Sequence, residues 1–181
     1  MGVEERMADR CNTIRLYSFQ TDVVYQVLKR DGVCYSKEEY VRKKYKESAK
    51  VFINAYGWFV KEAQHIVPKP EGAEYPYWAF TDLYNVDQTG DGHVLTLDVP
   101  IGEAILFDMF DWTKIMQMHY IGENESEEAT FSEELKNMGM NEFQIMTSNF
   151  YPEQKARIQE SWKRLFGHQQ AIEAGDNSGV H

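Results

Sequence analysis

The sequence predicts an α+β fold, a mixed or antiparallel sheet flanked by helices. Short runs that alternate apolar and polar residues recur along the chain, and segments of helical spacing lie between them. Strand and helix alternate first, several strands come next, and a helix closes the order. With 181 residues, the chain supports one domain with a sizeable core, taken over 14–166. An N-terminal extension over 1–13 and a frayed tail over 167–181 flank it.

IRLYSF (14 to 19) alternates and is read as the first strand. Thr21 caps a short helix, DVVYQVLKR, with Val23, Val24, Val27 and Leu28 as its apolar stripe and Gly32 as its stop. VCY (33 to 35) is a short strand. Ser36 and Glu39 form a capping box that opens a long helix to about Val67, ended by Pro68 and Pro70. Tyr40, Tyr45, Phe52, Tyr56 and Phe59 give that helix an aromatic core face. KPEGAEYP is a loop and YWAF (77 to 80) a strand. VLTLDV (94 to 99) is a strand closed by Pro100. AILFD (104 to 108) is a strand or a helix start. DWTKIMQMHYI is helical, with Asp111 as its cap and Asp108 in solvent. GENESEEATFSEE is a solvated acidic loop running into a short helix. FQIMT (143 to 147) is the last strand. Pro152 starts the final helix, whose buried face is Ile158, Trp162, Leu165 and Phe166.

DQTGDGHVLTLD (87 to 98) has nearly the ligand order of a calcium loop. The segment after Gly92 alternates with period two and ends at a proline, so a strand stands where an EF-hand needs a helix. TGDG is therefore read as a turn between two strands, with Gly90 and Gly92 at positive φ. The five histidines have no metal-ligand spacing, so no metal site is assigned. Glycine-rich phosphate loops and a nucleophile elbow are also missing.

Net charge is −10 and the pI about 5.0, which disfavours nucleic-acid duplexes as partners. RKKYK (42 to 46) is read as a solvated helix face. There is no apolar run long enough to span a membrane, and the N-terminus lacks the pattern of a signal peptide. Cys11 and Cys34 fit no zinc or redox motif. Free thiols in a reducing cytoplasm are expected. Two features point toward a ligand. The first strand carries Arg15, Tyr17, Ser18 and Gln20, and YPYW (75 to 78) concentrates aromatic surface beside prolines.

Several motifs together resemble the bacterial and phage family known as domain of unknown function 3841. They are Leu16-Tyr17-Ser18-Phe19-Gln20, the glycine of RDGV, and Phe52-Ile53-Asn54-Ala55-Tyr56-Gly57-Trp58. Further along stand Tyr75 to Phe80, Leu95 to Pro100, Ile105 to Phe110 with Trp112, and Ser161 to Phe166. Tyr17, Ser18 and Phe107 depart from the usual Trp, Thr and Ser. A second resemblance, of element order alone, is to ADP-ribosyltransferase-like domains. It implies an NAD cleft using Arg15 and Tyr17 on the first strand and Tyr35 on the second. Glu142 and Gln144, on a late strand, would take the catalytic positions. An amide at Gln144 cannot carry the charge that stabilises an oxocarbenium-like centre, which favours a binding-only or differently wired site.

The leading expectation is a small-molecule binding domain of nucleotide or NAD type. Its aromatic-lined cleft would use Tyr17, Gln20, Trp58, Tyr77 and Trp78, with Arg15 and Ser18 beside them. The first alternative is an enzyme acting on NAD, with Glu142, Asp98 or Asp108 as its carboxylate. The second is a phage or mobile-element protein that meets a host macromolecule through the acidic stretch 123–134. Oligomeric state is left open.

Overall fold

The computed structural model describes residues 13–167. The extension expected over 1–13 and the tail over 167–181 lie outside these residues, apart from Thr13 and Gly167. Among the described residues the fold is α+β: helices accompany a two-stranded antiparallel sheet.

β1 (Thr13–Thr21) pairs with β2 (Gly92–Pro100) along its whole length, Thr13 opposite Pro100 and Thr21 opposite Gly92. Alternation sorts the side chains. Leu16 and Ser18 are buried, and Leu97 and Leu95 stand opposite them in the register. The other face of β1 carries Arg15, Tyr17 and Phe19. On its free edge β1 meets the 77–80 segment at one bridge, Tyr17 to Phe80, with two backbone hydrogen bonds of 2.8 Å. The strand expected over 77–80 is thus reduced to a single pairing. The one expected over 33–35 is replaced by a bridge of Ser36 to Tyr75.

α1 (Asp22–Asp31) ends as expected at Gly32, whose φ of 74° is left-handed. Thr21 sits at its start without a side-chain cap bond. Val23 is 74% exposed and leaves the apolar stripe.

The long helix expected from 37 to 67 is two helices, α2 (Glu38–Tyr45) and α3 (Ala49–Ala63), parted by a 3-10 turn over Lys46–Ser48. Lys46 has φ +49°. The Tyr45 and Phe52 rings stack at 3.6 Å across this break. Seven residues of unbroken helix would set them roughly 10 Å apart along the axis, so the stack requires the bend. α2 is not opened by Ser36. Its first N–H, at Glu38, donates to the Glu74 carboxylate at 2.8 Å, so a residue distant in sequence satisfies the helix end.

Residues 104–108 form neither strand nor helix. Asp108, rather than Asp111, caps α4 (Met109–Met116), accepting from the N–H of Phe110 at 2.6 Å and of Asp111 at 3.4 Å. α5 (Glu125–Asn137) is longer than expected. Asn124 caps it, and three glutamates in its first turn complement the helix dipole. FQIMT is not a strand but lies in a helix, α6 (Glu142–Thr147). Asn141 and Gln144 make a reciprocal capping box, and adjacent Ile145 and Met146 are both buried, which a half-buried strand does not allow. α7 (Pro152–Ser161) continues as a 3-10 turn over Trp162–Phe166. Ile158, Trp162 and Leu165 are fully buried.

The 87–92 segment is not a hairpin turn, because the 77–80 segment before it pairs with β1, as does β2 after it; a 3-10 turn over Leu83–Asn85 lies between. Gly90 has the expected positive φ, +102°. Gly92 does not. Its lack of a side chain answers a close approach: a Cβ there would stand 2.5 Å from the Gln20 carbonyl oxygen.

The chain divides into two compact units. One holds the described residues through Glu38 together with Ala63–Ile105; the other holds Glu39–Glu62 and the described residues from Leu106 on. In the first unit Leu16, Tyr75 and Val86 are buried. The second has an aromatic core in which Phe59 meets Phe107, Trp112 and Phe166 at 5.6–5.8 Å. No helix among the described residues is long and apolar enough to cross a membrane.

Candidate functional site

The first unit holds most of the ligand-binding residues expected from the sequence, and its backbone divides them. Ser18 and Gln20 point to one face of β1, Arg15 and Tyr17 to the other. Ser18 is buried and donates to the Trp78 carbonyl at 2.6 Å; Gln20 donates to the Ser18 hydroxyl at 2.7 Å. Together with the Tyr17–Phe80 bridge, these bonds fasten the aromatic segment to β1. Tyr77 is 42% exposed, and its hydroxyl donates to the Cys34 sulfur at 3.1 Å.

Arg15 makes a two-point ion pair with its register partner Asp98, Nε to Oδ1 at 2.8 Å and Nη2 to Oδ2 at 3.2 Å. The hydrogen bonds raise the guanidinium pKa and lower that of the carboxylate. Asp98, expected as a candidate carboxylate, is engaged in this cross-strand pair. The ring of Tyr35 lies over Gly72, where a Cβ would come within 3.2 Å of it.

Trp58 belongs to the second unit and is buried there. It meets Trp162 edge-on at 5.2 Å and stacks on Phe166 at 5.8 Å. Asp108 serves as the α4 cap. Gln144 serves the α6 capping box, through bonds of 2.9 and 3.0 Å with Asn141. Glu142, in the first turn of α6, is 13% exposed at its side chain. One of its oxygens accepts from the Tyr120 N–H at 3.1 Å; the other pairs with His119 Nδ1. The hydrogen bond to Glu142 raises the His119 pKa against the opposing effect of burial.

That contact belongs to a dense polar network around residues 118–123. Met118, with φ +64°, turns the chain after α4. Side chains from several helices then satisfy the extended backbone beyond it. Trp162 Nε1 donates to the His119 carbonyl at 2.6 Å, and Arg164 donates to the Ile121 carbonyl at 2.5 Å. The Ile121 N–H donates to the buried Ser161 hydroxyl at 3.0 Å. Glu128 accepts from Gly122 at 3.0 Å and from Lys114 at 2.6 Å. The Tyr120 hydroxyl donates to Glu127 at 2.6 Å, which raises the tyrosine pKa and lowers the glutamate pKa.

This network holds Tyr120 at the junction of two hollows. The first, about 580 Å³, is lined by Tyr120, Arg157, Glu160, Ser161, Lys163, Arg164, Phe166 and Gly167. The second, about 340 Å³, is lined by Tyr120, Asn124, Ser126, Glu127, Thr130, Phe131, Glu134 and Arg157. Tyr120 and Arg157 belong to both. The Tyr120 ring stacks on Phe131 at 4.4 Å, and the Arg157 guanidinium lies 4.7 Å from the same ring. Arg157 also grips Glu134 through two bonds, 2.6 and 3.1 Å.

The expectations from sequence take in Arg164 only within the Ser161 to Phe166 motif and omit Arg157 and Lys163. A signal is present nonetheless. Arg157, Glu160 and Arg164 recur at helical spacing on the flank of the apolar stripe of Ile158, Trp162 and Leu165, with buried Ser161 between the two sets. Tyr120 carries no such signal, because its position depends on the turn at Met118.

No curated protein and no solved structure matches the chain. A family model described as Domain of unknown function (DUF3841) matches residues 15–180. The match runs through β1 and β2 and through the helices that build both hollows, and the chain belongs to the DUF3841 family.

Proposed function

We propose that the protein is a small-molecule binding domain whose ligand carries an anionic group, of nucleotide or related phosphate type, held in the first hollow. The carrying observation is the gathering of Arg157, Lys163 and Arg164 around one open space of about 580 Å³, in a chain of net charge −10. Hollows of roughly 300–1,000 Å³ suit small ligands. Of the carboxylates facing these cations, Glu160 and Glu123 are open to water, 70% and 75% exposed at the side chain, while Glu134 and Glu127 are partly covered, at 44% and 37%. Such surface pairs are weak. A phosphate offers arginine a stronger two-point partner and lysine a point charge. The aromatic surface in this reading is Tyr120 and Phe166, rather than the YPYW segment. Among the described residues Cys34 is a free thiol, which fits a reducing compartment, and we take the cytoplasm as the place of action.

The test is calorimetric titration of the intact protein with ADP, NAD and inorganic phosphate at low and high salt. ADP is expected to bind, and more weakly as salt rises. Lys163→Ala or Arg157→Ala should weaken it about tenfold or more, the scale of one charge-assisted hydrogen bond. Binding that ignores both substitutions would remove this hollow as the site.

A further inference from the structure

We infer that the ligand presents a sugar phosphate, its phosphate in the cation-lined hollow and its hydroxyls in the adjoining hollow across Tyr120 and Arg157. This rests on the reading of the first hollow as an anion site. Its own ground is the chemistry of the second.

Among its described lining residues the second hollow has no lysine, and Arg157, which it shares with the first hollow, pairs on this side with Glu134. Besides Tyr120 and the Arg157–Glu134 pair, the polar wall is made of an amide, two hydroxyls and a carboxylate, from Asn124, Ser126, Thr130 and Glu127. Each keeps a defined hydrogen-bonding capacity. Asn124 uses its side-chain oxygen to accept the Glu127 N–H at 3.0 Å, which leaves the NH₂ as a donor. Thr130 donates its proton to the Ser126 carbonyl at 2.7 Å, so its hydroxyl oxygen faces the hollow as an acceptor. Glu127 accepts from Tyr120 and from the Glu123 N–H at 2.7 Å, and each carboxylate oxygen keeps a lone pair. Ser126 contributes a hydroxyl that rotates to donate or accept.

A second phosphate would meet Glu127 and Glu134 and be repelled. An alkyl chain would strip water from these groups without replacing their bonds. A group bearing adjacent hydroxyls, each both donor and acceptor, matches the set. The hollow of about 340 Å³ is small for a complete nucleotide. The shared wall then fixes direction: the ligand lies across Tyr120 and Arg157, phosphate on one side and sugar on the other.

The experiment compares inorganic phosphate, ribose 5-phosphate and ribose by calorimetry on the intact protein and on a Ser126→Ala/Thr130→Ala double variant. Both positions are exposed on α5 and outside the core. Ribose 5-phosphate is expected to bind about tenfold more tightly than phosphate, the equivalent of one or two neutral hydrogen bonds. In the double variant that advantage should shrink to about threefold or less while phosphate affinity stays unchanged. Equal affinity for phosphate and ribose 5-phosphate overturns the sugar reading and leaves the anion site standing. So does an advantage that survives the double substitution. Binding of neither compound removes the anion site, and the sugar reading with it.

Discussion

Ser161→Ala tests the polar network most directly. Ser161 is 5% and Ile121 3% exposed, and the hydroxyl accepts the Ile121 N–H at 3.0 Å while donating to the Ile158 carbonyl at 2.7 Å. Alanine is nearly the same size, so no cavity of consequence opens. What changes is that a buried N–H loses its acceptor, at a cost of about 1–3 kcal/mol. The better helix propensity of alanine returns roughly 0.5 kcal/mol. A net loss of about 1–2 kcal/mol is expected, or roughly 2–8 °C in Tm for a chain of this size. Tryptophan fluorescence is a suitable probe, since Trp58, Trp112 and Trp162 all lie in the second unit. Hydrogen exchange at the Ile121 amide reads the bond itself and should speed up in the variant. Ser126→Ala, on an exposed turn of α5, serves as the control and should stay within about 0.5 kcal/mol of wild type. A Ser161→Ala protein as stable as wild type, with Ile121 still protected, would refute the reasoning.

Gly92→Ala should destabilise the strand pair by about 1–3 kcal/mol in urea unfolding, because the new Cβ would stand 2.5 Å from both the Gln20 carbonyl and the Phe19 ring. Asn141→Ala removes the side chain that caps α6 and should cost about 1 kcal/mol by the same assay. The His119–Glu142 pair predicts a pH dependence. Its bond raises the His119 pKa in the folded state, so the contribution is complete below the unfolded value of about 6.5 and is lost as pH rises through the folded value. The urea midpoint of wild type relative to His119→Ala should therefore be highest near pH 5 and converge by pH 9. A constant difference would separate the contact from its charge.

How far the sequence could be read depended on where each signal lives. β1, β2, the stop at Gly32 and the Pro152 start rest on local alternation and local turn chemistry, and they stand as expected. α6 is readable in principle, since Asn141 and Gln144 spell a capping box, but the β-forming residues of FQIMT point the other way. The break at Lys46 has no comparable local mark, since it depends on Tyr45 finding Phe52. Glu74 reaching Glu38 likewise joins positions 36 residues apart. The polar residues of β1 suggest a ligand because they stand on a half-buried strand. Ser18 instead holds the Trp78 carbonyl, and Gln20 supports Ser18, a partner that periodicity does not display. The cations of the hollow were hidden for the opposite reason. Arg157 and Arg164 look like ordinary solvent-face residues until the turn at Met118 brings Tyr120 against them.

The division of the chain into two interleaved units bears on how the molecule is made. Residues 39–62 belong with the described residues from 106 on, while 63–105 belong with those before 39. Neither unit is a continuous stretch, so no single cut releases one intact. During synthesis β1 waits for β2, whose first paired residue lies 71 positions beyond Thr21 and whose last lies 87 beyond Thr13. α3 emerges before the residues from 106 onward that complete its core. Such long-range closure slows folding and leaves the aromatic face of α3 uncovered on the nascent chain. A ribosome paused between residues 63 and 105 would hold two half-built cores at once.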